Sequence, residues 1–122
     1  MSTGRRVLVI DDDEAILGFI RDVLTDEGYQ VLEAIDGAEA LSEASREPPD
    51  LILLDMRMPR MDGWQFAQAY RATPGPHAPI IVITAARDAQ DMATEIHAQG
   101  YLAKPFTIED LLATVERHTA RQ

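Results

Sequence analysis

Pro49-Asp50-Leu51-Ile52-Leu53-Leu54-Asp55-Met56-Arg57-Met58-Pro59-Arg60-Met61-Asp62-Gly63 is the stretch that decides the fold. Leu51 to Leu54 is an unbroken apolar run, the pattern of a strand buried on both faces in a parallel sheet covered by helices. Asp55 follows at once, and Pro59 and Gly63 then stop regular structure and open a loop. One acid is thereby placed at the carboxyl end of a central strand, the edge where open α/β sheets bind ligands. A lone acid there is most simply a solvated strand end. That reading loses ground because polar residues also collect at the ends of other predicted strands.

Upstream, Val7-Leu8-Val9-Ile10 reads as a first strand, followed by Asp11, Asp12, Asp13 and Glu14. Ile16, Phe19, Ile20, Val23 and Leu24 then recur at helical spacing, which predicts a helix from about Glu14 to Glu27, N-capped by Asp13 and ended by Gly28. Gln30 to Ala34 is a second strand. Asp36 and Glu39 have capping-box spacing before a helix through Arg46 that buries Ala40, Leu41 and Ala44, and Pro48-Pro49 ends it.

Downstream, Asp62 and Gln65 repeat the capping-box spacing at the start of a helix from about Gly63 to Arg71. Thr73-Pro74-Gly75-Pro76 is a loop, and Pro79 to Ile83 is an apolar strand ended by Thr84. A fourth helix is expected from about Asp88. Its apolar stripe is thin, being Met92, Ile96 and several alanines, so its local stability is low and it is a candidate for movement. Tyr101-Leu102-Ala103 is a short strand stopped by Lys104-Pro105. Thr107 and Asp110 cap a last helix that buries Ile108, Leu111, Leu112 and Val115. Strand and helix alternate five times, which implies a parallel sheet with helices on both faces.

The chain has 122 residues, enough for one domain. Apolar residues make up 46%, a globular level. The absence of cysteine excludes a disulfide framework, a thiolate metal site and a Cys nucleophile. A formal net charge of −10 disfavours nucleic acid as a partner. No apolar run approaches a membrane span and no signal-peptide core follows the first residues, so a soluble, cytoplasmic protein is expected.

In a parallel α/β sheet every strand's carboxyl end lies on one rim. Strand one brings Asp11 and Asp12 there, strand three Asp55, strand four Thr84 and strand five Lys104. Crowded carboxylates repel unless a cation shares the site. An all-oxygen donor set without cysteine suggests Mg2+ before Zn2+. A carboxylate is also a nucleophile toward phosphorus, and a lysine and a hydroxyl opposite the metal hold phosphoryl oxygens. The suggested chemistry is metal-assisted phosphoryl transfer onto Asp55. Each residue alone has a plainer explanation: acids at a helix N-terminus, a strand-end threonine bonded to backbone, a surface lysine, a core tyrosine at Tyr101. Four of five strands ending in parts of one site is poorly explained by chance. His77, expected in the Pro/Gly loop, His97, in helix four, and His118, near the C-terminus, do not form a metal set and are expected on the surface.

The blocks Val9-Ile10-Asp11-Asp12-Asp13, Leu54-Asp55-Met56-Arg57-Met58-Pro59 with Met61-Asp62-Gly63, Val82-Ile83-Thr84-Ala85, and Tyr101-Leu102-Ala103-Lys104-Pro105-Phe106 resemble the response-regulator receiver domain of two-component signalling, across essentially the whole chain. The resemblance implies a flavodoxin-like (βα)5 three-layer sandwich with strand order 2-1-3-4-5. It implies that Asp55 is the phosphoacceptor, and that Asp12, Asp55 and the backbone carbonyl of Arg57 bind Mg2+, with Asp11 acting largely through water. It implies that Thr84 and Lys104 contact the phosphoryl group, and that the Lys104-Pro105 bond is cis. The implied donor is a phosphohistidine on a sensor histidine kinase or a histidine phosphotransfer protein. The face of helix one near Glu14 to Gly18 and the loop with Pro105 and Phe106 form the implied docking surface. Thr84 and Tyr101 are the implied switch, which rearranges the surface of helix four, strand five and helix five toward a downstream protein target. Arg57 and Ala86 occupy positions where the family tunes phosphoryl lifetime, and a long side chain at Arg57 can shield the group from water.

One feature departs from the family. About three more residues usually separate the glycine ending helix four from the switch aromatic, but here Gly100 precedes Tyr101 directly. Helix four is therefore expected to be shorter, shifted or differently joined, which leaves a homodimer through that face open. The leading expectation is a single receiver domain over residues 1–122, with its core at about 5–119 and no output domain. It is a phosphorylation switch and not a turnover enzyme. A receiver module cut from a larger regulator or hybrid kinase is the alternative. A Mg2+-dependent phosphatase with an Asp nucleophile fits less well, because Arg57 stands where such enzymes carry a second Asp.

Overall fold

Strands and helices alternate along the chain as β1 (Arg6–Ile10), α1 (Glu14–Asp26), β2 (Gln30–Ala34), α2 (Gly37–Arg46), β3 (Leu51–Asp55), α3 (Gly63–Arg71), β4 (Ile80–Ala85), α4 (Ala86–Glu95), β5 (Gly100–Lys104) and α5 (Ile108–Thr119). The structure is a computed structural model that describes residues 4–119. The strands form one parallel sheet in the order β2-β1-β3-β4-β5. This is the flavodoxin-like arrangement expected.

β3 sits at the centre, and all its residues are buried. Alternation along the strands sends side chains to two separate cores. Leu8, Ile10, Ile52, Leu54, Ile80 and Val82 face α2, α3 and α4, where they meet Ala40, Phe66, Tyr70 and Met92. Val7, Val9, Leu51, Leu53, Ile81 and Ile83 face α1 and α5, where they meet Leu17, Ile20, Leu111 and Val115. Covering both faces explains why the central strands carry no polar alternation.

Several boundaries and burial assignments differ from expectation. β4 begins after Pro79 and runs through Thr84 to Ala85. The face of α1 that meets the sheet is Leu17, Ile20 and Leu24. Phe19 lies about 200° around the helix from Leu17 and is 38% exposed. Ile108 opens α5 at the rim and is exposed, while Leu41 and Leu112 are only half-buried at the edges of their helices.

α4 is the element the family spacing put in question. It starts directly after β4 with no intervening loop, and its cap residue Ala85 provides no side-chain hydrogen bond. It ends at Glu95, so Gly100 does not terminate it but begins β5, paired with Ile81. A tight turn makes the join: His97, outside the helix rather than in it, takes a positive φ of 55°, and Ala98 N donates to Ala93 O at 2.8 Å. Gln99 locks the turn to β4, since its amide donates to Ile80 O and its side-chain oxygen accepts from Ile80 N. His77 is exposed as expected, but His118 is half-buried, and its ring would lie 3.5 Å from a Cβ placed at Gly100.

The N-terminus of α2 is fastened to the loop after β3. Asp36 caps α2 by accepting from Glu39 N at 2.8 Å. Its other oxygen accepts from Arg60 Nε at 2.8 Å and from a second Arg60 nitrogen. Gly37 N donates to Met61 O at 3.0 Å, and a Cβ at Gly37 would meet Met61 Cγ at 2.5 Å. These donors hold the buried Asp36 carboxyl below its ordinary pKa, the Glu39 amide most strongly and then the Arg60 guanidinium. A lowered pKa means that the bonds stabilise the fold above the unfolded value, about 3.9, and that this is lost as pH falls through the folded value. Asp36→Ala is expected to destabilise the protein by about 1 kcal/mol or more at pH 7, measured by urea unfolding, with the difference from wild type shrinking at pH 3.

Candidate functional site

The rim at the carboxyl ends of the strands gathers the charged residues that the sequence places there. Asp11 follows β1 and is fully buried, with Oδ1 accepting from Asp13 N at 2.9 Å. That bond turns the chain into α1, which Asp13 caps by accepting from Ala15 N and Ile16 N. Asp12 stays exposed between them. Asp55 closes β3 with 5% of its surface exposed, and its Oδ1 accepts from Arg57 N at 3.4 Å.

Asp11, Asp12 and Asp55 each offer an oxygen, and these oxygens lie within 4.8 Å of one another. Lys104, at the end of β5, reaches across to place Nζ 3.1 Å from Asp11 Oδ2 and 3.9 Å from Asp55 Oδ1. Asp11 Oδ2 is buried and accepts no hydrogen bond, so its contact with the ammonium is an ion pair without directed geometry. Asp55 is pushed up to about 6. Burial is the main cause, the Asp11 charge adds to it, and the Lys104 ammonium opposes it.

Three carboxylates with an orphaned buried oxygen suit a hard divalent cation such as Mg2+, which takes oxygen ligands and tolerates no thiolate preference. A shallow cleft lined by Asp12, Met56, Arg57, Met58, Pro59, Asp62 and Trp64 opens beside the acids. Gly63 makes its floor possible: Gly63 N donates to Met56 O, and a Cβ there would sit 2.7 Å from Met56 Cα.

Thr84 is buried on the neighbouring strand, one residue beyond Ile83, the register partner of Asp55. Tyr101 pairs with Val82 on β5 and points outward, 45% exposed. The Lys104–Pro105 peptide is cis. On the other side of Lys104, Ile16, Phe19, Ala85, Pro105 and Phe106 line an apolar recess, where the Phe19 and Phe106 rings lie 6.1 Å apart. Phe19 is a surface residue that periodicity assigned to the core stripe. Only the packed helix shows that Leu17, which that stripe left out, faces the sheet in place of Phe19.

The site is thus a parallel sheet with three carboxylates and a lysine gathered at its carboxyl rim. The response regulator receiver domain matches residues 7–116, and the chain belongs to that family. The chain is 40% identical over 112 residues to the response regulator MprA of Mycobacterium leprae, covering 90% of this chain and 49% of that protein. The chain spans about half the length of the curated relatives it matches. The chemotaxis response regulator CheY4 of Vibrio cholerae is similar with a TM-score of 0.85 and 36% identity, covering 94% of this chain and 98% of that one. The receiver domain of the sensor histidine kinase PA1611 from Pseudomonas aeruginosa, solved with a magnesium ion in its active-site cleft, gives a TM-score of 0.86 at 32% identity, covering 96% and 98%. This chain is therefore a receiver domain of two-component signalling, a class of signalling switches. No helix among the described residues is long and apolar enough to cross a membrane.

The raised Asp55 value has a consequence for metal-free protein. The native state holds its proton more tightly than the unfolded chain, so stability falls as pH rises from about 4 through about 6. Asp55→Asn is expected to stabilise the protein in EDTA at pH 8, by roughly 1–3 kcal/mol, and to give no gain at pH 4. Urea unfolding at the two pH values measures it.

Proposed function

We propose that this receiver domain accepts a phosphoryl group on Asp55 from a phosphohistidine and signals through a changed protein-binding surface. The observation that carries the reading is the convergence of Asp11, Asp12 and Asp55 on one rim with the Lys104 ammonium across from them. Asp11, Asp12, Asp55 and the backbone carbonyl of Arg57 would hold Mg2+. When bound, the ion neutralises the carboxylates and the oxygens of the incoming phosphoryl group.

The chain's own residues supply the rest. The Asp55 carboxylate attacks phosphorus and the donor imidazole leaves with its electron pair. Lys104 stabilises phosphoryl oxygens as their charge develops, and its rival partner Asp11 keeps the ammonium aimed at the rim. The Thr84 hydroxyl, on the adjacent strand, donates to the phosphoryl group and draws away from its resting place. Tyr101, outward in this structure, turns into the space left behind and changes the face made by α4, β5 and α5. A second reading, that the domain works inside a longer regulator, is favoured by the greater length of its relatives; the chemistry at Asp55 is the same in both.

Intact-mass spectrometry after incubation with Mg2+ and acetyl phosphate tests the site. One phosphoryl group is expected, absent with EDTA and absent in Asp55→Asn. A protein that takes no phosphoryl group from acetyl phosphate or from a phosphohistidine protein overturns the reading.

The apolar recess beside Lys104 supports docking of the donor against α1 and the loop after β5. The exposed Phe19 ring against Phe106 provides its apolar centre. Phe19→Ser is expected to slow transfer from a phosphohistidine protein about fivefold or more, the loss of an apolar anchor worth about 1 kcal/mol or more. Phosphorylation by acetyl phosphate should keep its rate, because the small donor needs no docking surface.

A further inference from the structure

We propose that Asp88 is a positioning residue for Arg57, and that the pair sets how long a phosphoryl group survives on Asp55. This rests on Asp55 being the phosphoacceptor.

Arg57 is anchored at its backbone and extends an exposed side chain. Its amide donates to Asp55 Oδ1, while its guanidinium reaches away and comes 4.0 Å from Asp88 Oδ2. The Arg57 side chain is 67% exposed and that of Asp88 37%. Asp88 is at this rim because α4 starts directly after β4, with no loop to carry its first turn elsewhere. It is the acid of that first turn, and Ala85 leaves the helix start without a side-chain cap. The helix dipole favours a carboxylate at this first-turn position. Lys104, the cation at the end of β5, is engaged with Asp11 and Asp55.

A phosphoryl group on Asp55 brings more negative charge than Asp88 and three acceptor oxygens. It competes with Asp88 for the same planar guanidinium, whose fork suits phosphate oxygens. Hydrolysis requires a water oxygen to bond to phosphorus while the bond from phosphorus to the Asp55 oxygen breaks. The Asp55 carboxylate keeps the electron pair, and both water protons leave with the released phosphate. A guanidinium laid over the phosphoryl group occupies the approach of that water. A guanidinium held by Asp88 leaves it open. Asp88 thus shortens the lifetime by restraining Arg57.

An exposed ion pair shifts such an equilibrium by a factor of about five at most. Asp88→Asn is expected to lengthen the phosphoryl half-life about two- to five-fold, followed by mass spectrometry after removing acetyl phosphate. Asp88→Glu should restore the wild-type half-life. In an Arg57→Gln background, Asp88→Asn should change nothing, an outcome that a merely structural role for Asp88 would not produce. An unchanged half-life in Asp88→Asn, or an effect that persists in Arg57→Gln, overturns the proposal while leaving Asp55 as phosphoacceptor. Failure of wild type itself to take a phosphoryl group overturns both.

Discussion

Lys104 Nζ lies 3.1 Å from the buried Asp11 Oδ2 and 3.9 Å from Asp55 Oδ1, and the rest of the rim depends on that ammonium. Two carboxylate charges within 4.8 Å of each other repel by about 3 kcal/mol or more at the effective dielectric of a protein surface. Burial raises the Asp55 pKa most, the Asp11 charge raises it further, and the one ammonium opposes both. The crowded carboxylates are therefore under electrostatic tension of the kind that a divalent cation would relieve. The fold tolerates the tension because β1, β3 and β5 hold the three side chains on a sheet whose core is buried on both faces.

The loop after β3 is where this rigidity is passed on to the chemistry. Its inner end is fixed by the Arg57 amide on Asp55 and by Gly63 against Met56. Its outer end is fixed by Arg60 and Met61 on the N-terminus of α2. The capping bond of one helix thus steadies the loop that borders the acid cluster. Such support allows Arg57 to keep its backbone in place while its side chain exchanges partners.

α4 is held differently from the other helices. Its buried face is Ala89, Met92 and Ala93, small for a helix of this length. Polar contacts add to it: Trp64 Nε1 donates to Glu95 at 3.0 Å, and Arg71 donates to the carbonyls of Ile96 and His97. These gather at the C-terminal end, whereas the N-terminal end has the exposed Arg57–Asp88 pair. Among the described residues, α4 thus has its polar anchors at the C-terminal end and only an exposed ion pair at the end nearer the site.

The sequence by itself determined the βα alternation, the central place of the Leu51–Leu54 strand and the arrival of Asp11, Asp12, Asp55, Thr84 and Lys104 on one rim. Apolar runs and caps are local signals, and parallel connections leave one edge for all strand ends. Four sequence blocks also carried the family, which the match over residues 7–116 bears out. Burial of Phe19 and Ile108 was misjudged from periodicity, since a stripe on a helix does not say which of its edges meets the sheet. The loopless join of α4, the turn at His97 and the pairing of Arg57 with Asp88 were decided only in the tertiary structure. Each depends on where separate elements end in space, and contacts between residues distant in sequence leave no period in the chain to read.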